Sequence, residues 1–247
     1  MAQTWHGVVG DSFFVPVQGG GVLADSVAQK IADAVAMGLI ADGEQLPSET
    51  DLSVQLGVST VTLRAALLIL RQQGLVETRR GRNGGSFVRS SGATSPAKSL
   101  ERLEALTPSY LRDLGDELFA IAGVTAMLAA RRFDEQNLGR LHDLVSQLEQ
   151  AEDRTQAARL DTRFHIEVAV STQSERLTHR VVALHSEYVD LLWLPESNIE
   201  VAPCAADHRA IVDAIRAEDA ESARALAESH AAANTRQLIE LRLRMFS

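Results

Sequence analysis

A single cysteine, Cys204, stands in a chain of 247 residues. One thiol cannot close an internal disulfide, and its scarcity fits a reducing compartment. No apolar run is long enough for a membrane span. The N-terminus has no basic segment followed by a hydrophobic stretch, which points away from secretion. The expected location is the cytoplasm. In the second half of the chain neither a strand pattern nor a glycine-rich phosphate loop occurs, which leaves an all-helical reading there.

What is present is a full complement of core-forming residues, 45% of the chain, over a length that accommodates one large or two small domains. Charge is unevenly spread. The net formal charge is −9, yet residues 46–89 hold six arginines against Glu49, Asp51 and Glu77, a local balance of +3. A basic module on an acidic protein suits a DNA-binding head joined to a separate domain. The acidic remainder limits non-specific association with DNA.

The basic module has internal order. Ser48 is a helix N-cap with Glu49 and Asp51 in the first turn, and Gly57 ends that helix. Ser59 caps a second helix, whose buried stripe is Leu63, Ala66, Leu67 and Leu70. Val61, Thr62, Arg64 and Ala65 lie off the stripe, and Arg64 can fork onto guanine or pair with a phosphate. A short hairpin follows, turning at Asn83-Gly84 and flanked by Arg79, Arg80, Arg82 and Arg89. The layout is a winged helix-turn-helix, with one helix for the major groove and an arginine-rich wing for phosphates or the minor groove. The expected DNA contacts are Ser48, Ser59, Thr60, Thr62, Arg64, Arg79, Arg80, Arg82 and Gly84.

Four regions are expected: an N-terminal arm over 1–21, the winged helix-turn-helix over 22–89, a polar linker over 90–109, and a helical domain over 110–247. The fold class is mostly α, the second domain being an antiparallel bundle of six or seven helices.

Within that bundle Asp161 and His165 stand at i and i+4 on a face that also holds Phe164 and Val168. His208 shares its face with Ile211 and Ile215, and His230 with Ala223, Leu226 and Ala227. Such groups are costly to bury unless hydrogen-bonded or metal-bound. One carboxylate and three imidazoles suit zinc, nickel or manganese. An Asp-x3-His pair is also a common hydrogen-bonded pair, and lone histidines are often plain core residues, so spacing alone leaves both readings open.

The segment LPSETDLSVQLGVSTVTLRAAL…GLVETRRGRNGGSFV resembles the GntR family of bacterial transcription regulators, and the helical half resembles its FadR-type branch with an FCD effector domain. The contexts DTRFHIEVA, DHRAIVDAIRAED and ARALAESHAAA carry the second likeness. The resemblance implies metal binding by Asp161, His165, His208 and His230 and a homodimer on a near-palindromic operator. It further implies a small organic acid or related metabolite as effector, with repression the expected sign and no enzymatic activity. A metal sensor, with the ion as effector, and a metal-dependent hydrolase are the alternatives. There are departures. Thr50 stands where relatives usually carry Arg or another polar group and Thr60 where many carry Arg, and Arg64-Ala65-Ala66-Leu67 lacks the family's Glu. Leu118 occupies the position of an effector-binding Arg and Ala122 that of a Glu; with His185 they form the expected effector pocket.

Overall fold

The computed structural model describes residues 23–36, 40, 43–79, 81, 84–89 and 96–246. The arm expected over 1–21 lies outside the described residues, as do Arg80, Arg82 and Asn83 at the wing tip. The chain divides into two compact units, Met1–Ala93 and Thr94–Ser247.

The first unit contains α1 (Leu23–Ala36), α2 (Glu49–Gln55), α3 (Thr60–Gln72), β1 (Val76–Arg79) and β2 (Gly85–Val88). Val27, Ile31, Ala34 and Val35 recur at helical spacing on α1 and are buried, facing α3. Leu63, Ala66, Leu67 and Leu70 form the buried stripe of α3, as the sequence pattern requires. Gly57, at φ +64°, supplies the left-handed turn after α2, and α2 and α3 meet at 104°, within the range of helix-turn-helix pairs. β1 and β2 pair antiparallel with Val76 opposite Val88 and Arg79 opposite Gly85. Residues 43–46 add a third edge: Gly43 N–H donates to Val88 O at 2.9 Å, and Leu46 N–H to Ser86 O at 2.9 Å. This edge anchors the hairpin to the helices.

The second unit holds seven helices among the described residues: α4 (Pro96–Ala105), α5 (Pro108–Arg132), α6 (Glu135–Glu149), α7 (Arg154–Ser171), α8 (Glu175–Leu192), α9 (Val201–Arg216) and α10 (Ala220–Phe246). The linker expectation for 90–109 needs correction, because most of its second half is α4. Pro96 starts that helix, where a missing N–H costs nothing, and Leu103 enters the bundle core. Polar composition around Ser91 and Ser95 concealed a helix whose apolar residues, Leu100 and Leu103, come late.

α5 and α10 pack along one another, and α7 packs against α5, α6 and α8. α7 is buried almost all round between Leu160 and Ser171, which makes it the central helix. Polar groups on such a helix must find partners inside the bundle. No single described helix is long and apolar enough to cross a membrane.

Candidate metal centre and candidate nucleic-acid interface

In the first unit both caps form as expected. Ser48 Oγ accepts from Asp51 N–H at 3.2 Å, and Ser59 Oγ from Thr62 N–H at 3.1 Å. The Thr62 hydroxyl bonds Ser59 Oγ at 2.8 Å. Thr60, Val61, Arg64 and Ala65 are exposed on one face of α3. Arg64, with 67% of its side chain exposed, donates from Nε to Glu49 Oε2 at 2.6 Å. In the wing, Glu77 binds two arginines: Arg79 Nε at 2.7 Å and Arg89 Nε at 3.2 Å. The Arg79 guanidinium also lies over the Phe87 ring, 4.3 Å from its centre. Gly84 N–H donates to Gly81 O at 2.9 Å, and a Cβ at Gly84 would sit 2.5 Å from Arg79 O. The tight wing tip therefore requires glycine there.

Glu49 and Glu77 were missed as arginine partners in the sequence. Glu49 and Arg64 belong to different helices, so helical spacing gives no sign of the pair. An exposed ion pair of this kind adds little stability. Its effect here is orientation: Arg64 and Arg79 are each held through Nε, which leaves terminal guanidinium nitrogens for a ligand.

In the second unit α7 contributes Asp161 and His165, α9 His208 and α10 His230; one donor atom from each lies within 4.8 Å of all the others. Asp161 is 1% exposed, and His208 is fully buried. Asp161 Oδ1 is 3.4 Å from His165 Nε2 and 3.3 Å from His208 Nε2. Two donors each bound at about 2.0–2.2 Å to one ion lie about 3.0–3.4 Å apart in octahedral or tetrahedral geometry. The observed spacings match that range and are long for hydrogen bonds. Burial opposes ionisation of Asp161, yet the imidazoles of His165 and His208 beside it hold its carboxyl well below the usual range. Burial lowers His208 to about 3, keeping it neutral with a lone pair for a cation. The residues present therefore fit a divalent transition metal.

Surrounding groups fix the quartet. Trp193 Nε1 donates to Asp161 Oδ2 at 3.1 Å. His230 Nδ1 donates to Asp207 Oδ2 at 3.0 Å, and that tautomer puts the lone pair on Nε2, 2.9 Å from Asn234 Nδ2, whose hydrogen bond an ion would replace. The bond from His230 lowers the Asp207 pKa. Phe164 stacks on His208 with ring centres 3.8 Å apart. Asn234 stands four residues beyond His230, so helical spacing could have found it; Asp207 meets His230 across two helices, and nothing in the sequence marks it or Trp193.

Of the expected effector-pocket residues, His185 reaches the quartet, its ring stacked on His165 at 4.6 Å. His185 Nδ1 is buried without a hydrogen-bond partner, and burial lowers its pKa to about 3. Leu118 is buried in the core along α5, with Ala122 half-buried against it.

Comparison with known proteins follows the same two parts. Residues 23–88 match the family described as bacterial regulatory proteins, gntR family, and residues 118–233 match the FCD domain. RmpR of Mycobacterium gastri, named as an HTH-type transcriptional regulator, is 40% identical over 223 residues, which span 89% of this chain and 81% of that protein. A protein of Escherichia coli strain K12 named for regulation of the L-lactate dehydrogenase operon is 30% identical over 84% of this chain and 83% of its own. Among solved structures, E. coli McbR/YncC superposes with a TM-score of 0.53 at 17% identity, covering 91% of this chain and 99% of that one.

Proposed function

This chain belongs to the gntR family of bacterial regulatory proteins and carries an FCD domain, and we propose that it is a metal-containing, effector-controlled operator-binding repressor. As a family member it is a transcriptional regulator rather than an enzyme. In our reading a homodimer in the cytoplasm places two copies of α3 in successive major grooves of a near-palindromic operator. Arg64 reads or anchors the groove, Ser48, Ser59, Thr60 and Thr62 approach the backbone, and Arg79, Arg80, Arg82 and Gly84 line the wing contact.

The observation that carries the regulatory part is the convergence of Asp161, His165, His208 and His230 in the core of the helical unit. These four would hold zinc, nickel or manganese. The metal would supply a Lewis-acidic anchor for an oxygen of the effector. His185, with its unpartnered Nδ1 beside the quartet, supplies a hydrogen bond to that ligand. Leu118 and Ala122, in place of a charged pair, offer no cation to a carboxylate, so an organic acid or related metabolite would be held by the metal rather than by arginine. Effector affinity and operator affinity are then linked reciprocally. Native mass spectrometry of the purified full-length protein tests this composition: a dimer with one metal per chain and a co-purified small molecule is expected, and a metal-free protein that takes up no added zinc, nickel or manganese would contradict it.

A second reading has the ion itself as effector, favoured by the complete burial of His208. It predicts that chelation alone changes operator affinity by as much as any organic acid does.

A further inference from the structure

Cys204 lies on α9 one turn before His208, and its side chain is buried. Its Sγ is 3.7 Å from Asp161 Oδ1 and 3.8 Å from His208 Nε2. It therefore stands at the Asp161–His208 edge of the quartet, on the same face of α9 as the histidine. We propose that Cys204 is a fifth metal donor, binding the ion as thiolate and making the centre select zinc over manganese.

A thiolate at about 2.3 Å and an oxygen or nitrogen donor at about 2.1 Å from one five-coordinate ion lie about 3.1 Å apart at 90° and about 3.8 Å apart at 120°. The two observed distances, 3.7 and 3.8 Å, fall at the upper end of that span. The first is long for a strong hydrogen bond to a carboxylate. On coordination the S–H bond breaks, the proton passes to solvent and the S–metal bond forms, with no change in oxidation state. Thiolate is a soft donor: it strengthens binding of zinc and does little for manganese, which prefers oxygen. Trp193 holds Asp161 Oδ2 and so leaves Oδ1, the oxygen nearest Cys204, to face the ion.

The proposal rests on the reading that the quartet binds metal, and cobalt separates the two. Full-length protein stripped with chelator is titrated with Co(II), following metal content and the near-ultraviolet spectrum. One cobalt per chain with a sulfur-to-cobalt charge-transfer band is expected in the native sequence, and Cys204→Ser should bind cobalt without that band. One cobalt per chain with no band in the native protein overturns the thiolate ligand and leaves a buried thiol hydrogen-bonded to Asp161. No cobalt bound overturns the metal reading itself. In competition the ratio of zinc to manganese affinity should fall by about tenfold or more in Cys204→Ser; an unchanged ratio overturns the selectivity. If the serine variant misfolds, Cys204→Ala serves, and the native spectrum decides the ligand regardless.

Discussion

The indole of Trp193 donates to one oxygen of Asp161 at 3.1 Å, leaving the other oxygen to the histidines of α7 and α9. The tryptophan sits just beyond α8, at the start of a short connection that Arg154 ties down through Leu194 O and Ser197. One aromatic N–H thus fixes which lone pairs of a buried carboxylate face the metal centre. Trp193→Phe keeps most of the ring volume and removes only the donor. Metal affinity should fall by about 10–100-fold, as for other groups that orient metal ligands. Competition against a chelating dye measures it, with circular dichroism showing the bundle intact; unchanged affinity would mean that the indole serves packing alone.

Metal removal should be visible as lost stability. At free zinc about 100-fold above Kd, binding to the folded state alone stabilises it by about 2.7 kcal/mol. For a unit of this size that corresponds to a rise in Tm of about 5–10 °C. A chelator should abolish the rise, and His208→Ala should show none at any zinc concentration. A Tm that ignores zinc in the native protein would remove the stabilising role of the site.

Arg64 is expected to govern recognition without supporting the fold. It is largely exposed, and its one recorded partner, Glu49, is exposed enough that the pair adds little to stability. Arg64→Ala should leave Tm within about 1 °C and cost about 1–3 kcal/mol of operator affinity, roughly 5–150-fold. Anisotropy at fixed salt also separates its two roles. A loss confined to the specific duplex marks a base contact, and an equal loss on random DNA marks a phosphate contact. Normal affinity would place another residue in the groove.

Gly115 reports on the packing of α5 against α10. A Cβ there would overlap Thr235 Cγ2, and the β-branched Thr235 has few rotamers to retreat into. Gly115→Ala should destabilise the helical unit by about 1–3 kcal/mol, and Gly115→Ala with Thr235→Ser should recover part of that. Thermal melts of the two variants decide it.

The parts of the molecule legible in the sequence are those set by periodicity. The stripe on α3, the caps at Ser48 and Ser59, and the inward faces of Asp161 and the three histidines follow from positions along single helices, whereas the meeting of those four was implied by the family resemblance and not by spacing. The pairs that cross between elements were not legible. Glu49 with Arg64, Trp193 with Asp161, and the strand-like edge at residues 43–46 depend on how elements meet. Cys204 is intermediate: its place four residues before His208 was readable, but its contact with Asp161 depends on α9 meeting α7. The helix over Pro96–Ala105 was hidden because the serines before it read as linker, while its apolar residues find a core only in the folded bundle.

The measurement closest to the central claim is the operator affinity of the full-length protein in defined metal states. A duplex enriched from a random-sequence library by the protein itself serves as probe, read by anisotropy with protein that is chelator-stripped, zinc-loaded, or zinc-loaded with a panel of small organic acids. Coupling between the buried centre and the winged head predicts a Kd change of about fivefold or more between two of these states, and no such change in His208→Ala. The same Kd in every state would contradict the account, leaving a winged DNA-binding head with a helical unit that does not control it.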